Sequence, residues 1–557
     1  MKKIAFVLRM TRCLGKIQII LILVISLLQG IILSLELIVW QQLIDGIIFC
    51  LKNNSYNRIF ITIGCYMVLA FASLLLSKIS TYINWKYSMQ LENKINNALL
   101  RKCSRVKYDM YHDAKFYDEL IRINNVSAAS IVGIVNGFAT ITQYIMAYVS
   151  VFIILVRYNI LIPIVISVLI LPLLLYELSY STKIYDNKCG HTEEERMVGK
   201  LSGLFFSHRH IMEIRTYKVV NVLIEKVKVF QNERYNAENV IRKQQVKGEA
   251  YINFIYIVSI YALKLLAVVF SVHHNFTVGV ITMYMTSIDQ ISADLQSIVS
   301  SLTKLKVDRL YVESLQSFLE HEEEILGGKK SGKIQEIRFE NVSYKYPGSD
   351  KYIFEKVSFC LKTPGKYLLQ GANGCGKSTL IKLIAGFYKP DEGEIYVNGI
   401  KIQELDKDDY YKHLCIMYQE YNRYPLSVRD NITFQNDKAE SSINQMLKEI
   451  NIYSDIISMK NGIETVIDNE QGDGTELSLG QWQKIAFCRA LFHSGDLFVY
   501  DEPAASLDHE TTNIIQDILL KESQGKLLVY ISHDKISDCR ITHNILIQNK
   551  KIRIEAR

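Results

Sequence analysis

What most constrains this chain is its first 300 residues, where long apolar runs follow one another with short or charged segments between them. A helix that crosses a bilayer needs roughly 20 apolar residues, because the hydrocarbon core offers no water to the backbone N–H and C=O groups. Stretches about 59–83, 131–157, 159–181, 250–274 and 277–301 meet that length, and so does the run KIQIILILVISLLQGIILSLELIVW near the N-terminus. The positive flank of that first run gives it the look of a secretory signal. Its apolar stretch continues without a small-residue cleavage site, so it is expected to be retained as a first membrane helix. Six crossings would return the chain to its starting side.

The segments between the runs are unequal. CLKNNSYNR, RYN and HHNFTVG are short, whereas 84–130 and 182–249 are long, charged and helical in pattern. Excess lysine and arginine in the long loops, as in RKCSRVK, places them and both termini in the cytoplasm. The net charge of +7 therefore reads as membrane-flanking loops, and no nucleic-acid partner is expected. With 49% hydrophobic residues the chain is too apolar for a single soluble enzyme. Its ten cysteines are scattered, without the paired spacing of a zinc site or a disulfide framework, and suit a reducing compartment.

Beyond residue 300 the pattern changes to short apolar strands alternating with polar helices, the signature of an α/β domain. The expected fold is thus an α-helical membrane domain of six transmembrane helices at 1–318, a linker at 319–333 and an α/β P-loop ATPase domain at 334–557. The stretch GANGCGKST at 371–379 follows the strand-like KYLLQ and precedes the helical LIKLIAGFY, which is the context a P-loop requires. Gly371, Gly374 and Gly376, with Asn373 and Cys375 between them, would let backbone N–H groups wrap the phosphates of ATP. Lys377 would neutralise the β and γ positions, Ser378 would ligate Mg²⁺, and Thr379 completes the motif. LFVYDEP at 497–503 is an apolar strand ending in two carboxylates on opposite faces. Asp501 is expected to hold the Mg²⁺ shell and Glu502 to polarise the attacking water.

A second stretch, ELSLGQWQK at 476–484, places a small hydroxyl and a glycine at the start of a helix, an arrangement suited to an anion, yet without a lysine of its own. Together these motifs resemble the nucleotide-binding domain of an ABC transporter, in which LSLGQ stands for the signature LSGGQ. The resemblance implies further roles. Tyr346 matches the aromatic that stacks on adenine, and Gln419 the glutamine linking the Mg²⁺ and water site to the membrane domain. Asp508 matches the D-loop aspartate and His533 the histidine on the γ-phosphate. It also implies that Ser478, Gly480 and Gln481 meet the ATP of a second subunit, because two such domains pair head to tail. A dimer is expected, of two copies or with a different half-transporter as the alternative.

Six spans with long inner loops, fused ahead of the ATPase, resemble a half-size exporter, and KYDMYHDAKFYDELIRINN and LSGLFFSHRHIMEIRTY lie where that family carries its docking helices. The tryptophan in GQWQKIAFCRAL is familiar from exporters of lantibiotics and related peptides, and abundant Lys, Ile, Asn and Tyr fit a bacterium of low GC content. A leader-trimming peptidase domain is not expected ahead of the first run, so any leader removal would happen elsewhere. The expected function is ATP-driven export of a modified peptide across the bacterial inner membrane; a lipid or drug exporter with the same engine and a non-transporting sensor are the alternatives. Leu479 in the signature, Ala505 after Glu502 and Asp534 after His533 depart from the family pattern without removing a catalytic group. Glu36, Lys264 and Asp289 fall at similar depth on three spans, where charge is costly and faces a cavity or pairs.

Overall fold

The computed structural model describes residues 16–53, 56–157, 159–325, 327–434, 440–468, 475–493, 495–532 and 540–557. The chain divides into two compact units, one comprising the residues up to Arg105 with Ala114–His321, the other Val106–Asp113 with Glu322–Arg557. An eight-residue piece lying in sequence between two helices of the first unit is therefore built into the second.

The first unit is helical: α1 Lys16–Asn53, α2 Asn57–Cys103, α3 Ala114–Val156, α4 Leu161–Leu169, α5 Leu171–Gly190, α6 Thr192–Phe206, α7 His208–Thr216, α8 Val220–His273 and α9 Val278–Leu319. The 47 residues of α2 and 54 of α8 span about 70 and 80 Å at 1.5 Å per residue, more than twice the ~30 Å hydrocarbon core. The long charged loops are therefore largely continuations of these helices. Between α4 and α5 the helix breaks, and Pro172, in the first turn of α5, supplies the cause because its nitrogen cannot bond a turn back.

Among the described residues five segments are long and apolar enough to cross a membrane: Ile20–Asn53, Asn57–Cys103, Ala129–Val156, Leu161–Gly190 and Val220–His273. The expected sixth, 277–301, lies in α9 and is not among them. It carries Thr282, Thr286, Asp289, Gln290, Asp294 and Gln296, and it packs chiefly along α3, burying Tyr284, Ser287, Ile288, Ile291 and Asp294. A helix shielded by its neighbours can carry polar groups that one facing lipid cannot. The approach of α9 to α3 is tight at Gly133, where a Cβ would lie 2.3 Å from Asp308 Oδ2. At the other end of α9, Asp45 on α1 accepts from Thr277 Oγ1 and from Gly279 N, each at 3.0 Å, and satisfies an N–H of the first turn. Lys264 on α8 and Asp289 on α9 form an ion pair at 2.6 Å. Glu36 on α1 makes no ion pair among the described residues.

The second unit holds two sheets. The antiparallel one pairs β1 Glu336–Lys345 with β2 Tyr352–Lys362 and β4 Glu392–Val397, with the short β5 Ile400–Lys401 at its edge. The other has the order β10-β9-β3-β8-β7-β6, where β3 is Gly365–Gln370, β6 Leu414–Met417, β7 Leu497–Asp501, β8 Leu527–Ile531, β9 His543–Gln548 and β10 Lys551–Ala556. Its pairs β9/β3, β3/β8, β8/β7 and β7/β6 are parallel. Strands β7 and β8 are buried throughout, as uninterrupted apolar runs covered on both faces must be. In register, Leu369 and Asp501 both flank Ile531, so the carboxyl ends of β3 and β7 open at one level, where open α/β sheets bind ligands.

From Glu322 to Ser331 the chain is strapped to this unit: Gly327 N donates to Asp406 Oδ2, Lys329 N to Glu404 O and Ser331 N to Asp409 Oδ2.

Candidate nucleotide site

The loop after β3 turns sharply into helix α10, Lys377–Ile384. Gly374 and Gly376 adopt φ of 78° and 109°, a region closed to most residues, and a Cβ on Gly376 would stand 2.6 Å from Ile353 Cγ2. Glycine is thus required by both conformation and space. The turn leaves backbone N–H groups and the positive end of the α10 dipole at the mouth of the loop. Lys377 Nζ donates to Gly371 O at 2.9 Å, which folds its ammonium back over the loop. Tyr346 OH lies 2.7 Å from Thr379 Oγ1, so the expected adenine platform borders the same helix.

At the end of β7 the two carboxylates separate. Asp501 is buried and accepts from Ser378 Oγ at 3.2 Å through Oδ2. Glu502 has φ of 50°, an uncommon conformation for a non-glycine residue and one that concentrates at functional sites. Its Oε2 accepts from Gln419 Nε2 at 3.1 Å. The structure thus brings Ser378 to Asp501 and Gln419 to Glu502. Oxygen donors from a hydroxyl and a carboxylate, side by side at the phosphate loop, fit a hard divalent cation that keeps water and phosphate in its shell. Among the described residues no group of three or more His, Cys, Asp or Glu could hold a metal by itself. His533, with Asp534, lies outside the described residues.

The signature residues are occupied with one another. Ser478 caps helix α11, Leu479–Phe492, its Oγ accepting from Gln481 N at 3.3 Å while Gln481 Oε1 accepts from Ser478 N at 2.9 Å. Gln481 Nε2 continues to Asp455 Oδ2 at 2.9 Å. Leu479 is half exposed, and its carbonyl accepts from Tyr421 OH at 3.1 Å. Gly480 faces the 506–507 turn, where a Cβ would come within 3.3 Å of Ser506 O. Asp508 accepts from Thr511 N at 2.7 Å and from Thr511 Oγ1 at 2.9 Å, so its carboxylate caps the helix His509–Glu522, and these bonds hold its pKa below the usual value.

Two further features had no signal in the motifs. Buried Gln483 donates to Glu502 O at 3.2 Å and accepts from Ser506 N at 3.0 Å, so it clamps the backbone on both sides of the strained turn. The 3-10 turn Tyr108–His112 brings His112 Nε2 to 2.7 Å from Tyr388 OH, beside Tyr346. A second glutamine two residues after the signature could have drawn notice to Gln483. Nothing in the spacing links His112 to Tyr388.

Comparison with known proteins agrees with this geometry. Residues 354–505 match the ABC transporter family model. The chain is 26% identical to the subtilin transport ATP-binding protein of Bacillus subtilis over 94% of its own length and 86% of that protein's. It is 23% identical to the nisin transport ATP-binding protein of Lactococcus lactis subsp. lactis over 92% and 86%. An ABC transporter of Gibberella fujikuroi is 31% identical, but over only 36% of this chain and 15% of its own. Residues 354–505 are an ABC transporter domain, which implies ATPase activity coupled to transport, and the apolar helices ahead of it, with end-to-end likeness to the subtilin and nisin transport proteins, are consistent with the layout of a half-size ABC exporter.

Proposed function

We propose that the chain is one half of a dimeric exporter that uses ATP to move a modified peptide out across the inner membrane of a bacterium, with both termini and the ATPase domain in the cytoplasm. The observation that carries the peptide reading is the end-to-end similarity to the subtilin and nisin transport proteins, which spans both units. Likeness to the fungal transporter is confined to about a third of the chain and does not favour a drug cargo. In this reading α9 is the sixth crossing, its polar face turned to the bundle.

ATP would lie with its phosphates on Gly371–Thr379, Lys377 on the β and γ positions and its base on Tyr346. Mg²⁺, when bound, would supply charge neutralisation at the phosphates from a place beside Ser378 and Asp501. Glu502, oriented by Gln419 and by the Gln483 clamp, would polarise the attacking water, and His533 would contact the γ-phosphate. Ser478 and Gln481 bond each other, Gln481 reaches Asp455, and with Gly480 they would meet the ATP of a partner subunit. Asp508 would stand at the same interface. Closure of two such domains on ATP and their release after hydrolysis would alternate access to the cargo.

Inside-out vesicles carrying the purified chain test this reading. ATP-dependent uptake of a lantibiotic-type peptide is expected, with Glu502→Gln lowering turnover by about a hundredfold or more while ATP still binds. Mixing wild type with Ser478→Arg should silence wild-type P-loops in trans. Full-rate hydrolysis by a monomer would defeat the dimeric site, and ATP turnover unaffected by any peptide would defeat the cargo.

A further inference from the structure

We propose that the cavity at the turn between α1 and α2, closed on its third side by the start of α9, binds an anionic phospholipid. The lipid phosphate sits between Lys52 and Arg58, and the acyl chains leave along the apolar wall. The site shares no residue with the phosphate loop or with the Lys264–Asp289 pair.

The cavity holds about 740 Å³ and draws its lining from all three helices. It stands at the end of α9 opposite Leu319, with 42 residues of helix between, about 60 Å at 1.5 Å per residue. In the reading above, that end lies at the outer surface of the membrane. Trp40 and Tyr66, with ring centroids 6.2 Å apart, pair across α1 and α2 just inward of the cavity, and amphipathic aromatic rings of this kind settle at the level of lipid headgroups.

One acid and two bases line the cavity, and the acid is already engaged. Asp45 accepts from Thr277 Oγ1 and from Gly279 N, each at 3.0 Å, so both its oxygens serve the start of α9. Lys52, in the last turn of α1, and Arg58, in the first turn of α2, form no ion pair among the described residues. The first turn of α2 carries no acidic residue and its cap, Tyr56, makes no side-chain bond, so the positive end of a 47-residue helix adds to the same field. The Arg58 guanidinium lies 4.4 Å over the Phe49 ring, which fixes its plane and leaves its N–H fork for two oxygens of one anion.

Phe49, Ile61, Phe276 and Val278 supply the apolar wall. Ile61 and Val278 are more than half exposed, so the wall continues out of the cavity toward the place where acyl chains lie. A soluble anion gains nothing from that wall, whereas a phospholipid meets it with its chains and meets the two cations with its phosphate. Two unpaired cations repel a cationic peptide, so the cavity is not a second place for such a cargo.

Native mass spectrometry of the full chain, delipidated in detergent and offered equimolar dioleoyl phosphatidylglycerol and dioleoyl phosphatidylcholine, tests the site. One phosphatidylglycerol per chain should be retained with a preference of about tenfold or more, as two basic groups near a bilayer surface confer. Lys52→Gln combined with Arg58→Gln should bring the preference close to one. Both side chains are exposed, so the variant should unfold thermally like wild type in phosphatidylcholine nanodiscs and lack the stabilisation that phosphatidylglycerol gives wild type. If the double variant fails to fold, each single substitution should still lower the preference, and no change in either would count against the site. Glycerol phosphate in large molar excess should leave the lipid bound. Equal retention of the two lipids, or a preference that survives in the double variant, would overturn the proposal. Displacement by glycerol phosphate would overturn it as well, leaving a site for free phosphate alone.

Discussion

Gln483 illustrates how a residue without chemistry of its own can hold in place the residue proposed to have it. Glu502 sits at positive φ, which a side chain with a Cβ adopts only when its surroundings hold it there. Gln483 donates to the carbonyl of that residue and accepts from the amide of Ser506, so both polar ends of its amide serve the turn. Gln483→Leu keeps the approximate volume but leaves a buried N–H and C=O without these bonds, at a cost of about 1–3 kcal/mol. Thermal unfolding of the variant should show that loss. ATP turnover should fall further than ATP affinity, because the phosphate loop is untouched while the carboxylate is set free. An equal loss of affinity and turnover would mean that Gln483 serves folding alone. Motif reading singled out Glu502 because its neighbours in sequence carry the pattern, and it passed over Gln483 because its hydrogen bonds cross to another element.

At the scale of elements, the phosphate loop was legible because strand, glycine turn and helix are contiguous, so local sequence carries the whole geometry. The pairing of β3, β8 and β7 was legible only as an alternation of strands; their order depends on crossovers that no short stretch encodes. The α9 helix is a different case. It was read as a membrane crossing like the others, yet its buried stripe includes Ser287, Asp294 and Asp308, polar residues that a hydropathy reading cannot distinguish from lipid-facing faults. The stretch read as a linker also departs from a plain tether. Glu324 accepts from Tyr411 OH at 3.1 Å and lies close to Lys407, while burial outweighs both and holds its carboxyl above the usual value. A carboxyl raised on folding contributes most below its unfolded pKa and loses that contribution as pH rises through the folded value. Glu324→Gln should therefore gain thermal stability relative to wild type as pH increases from about 4 to 8, with the two curves converging at the acid end. A difference independent of pH would show that the carboxyl is not the cause.

For the molecule as a whole, the open matter is what the membrane unit recognises, and its ionisable residues bear on that directly. Lys264 and Asp289, expected at equal depth from the sequence, are in contact across α8 and α9. Their exposures differ sharply: Lys264 is 12% exposed and Asp289 59%, so the lysine is enclosed while the carboxylate still presents an open edge. A pair that served only to hold the bundle together would be expected to bury both members, since a buried charge is tolerated when its partner shares its surroundings. Asp294, on the same helix, is fully buried, with one oxygen taking a bond from Gln290 and the other without a hydrogen-bond partner among the described residues. With Lys264 enclosed and Asp289 open, we propose that this carboxylate presents its charge to the cargo, and a cationic peptide is the passenger it would favour. Asp289→Asn should then reduce the ratio of peptide-stimulated to basal ATPase by about fivefold or more. The response to a neutral analogue of the peptide should change much less. If the variant instead unfolds with its Lys264 partner stranded, Lys264→Met with Asp289→Asn removes both charges; recovery of folding without recovery of the peptide response would keep Asp289 in contact with the cargo, and recovery of both would reduce the pair to a structural tie.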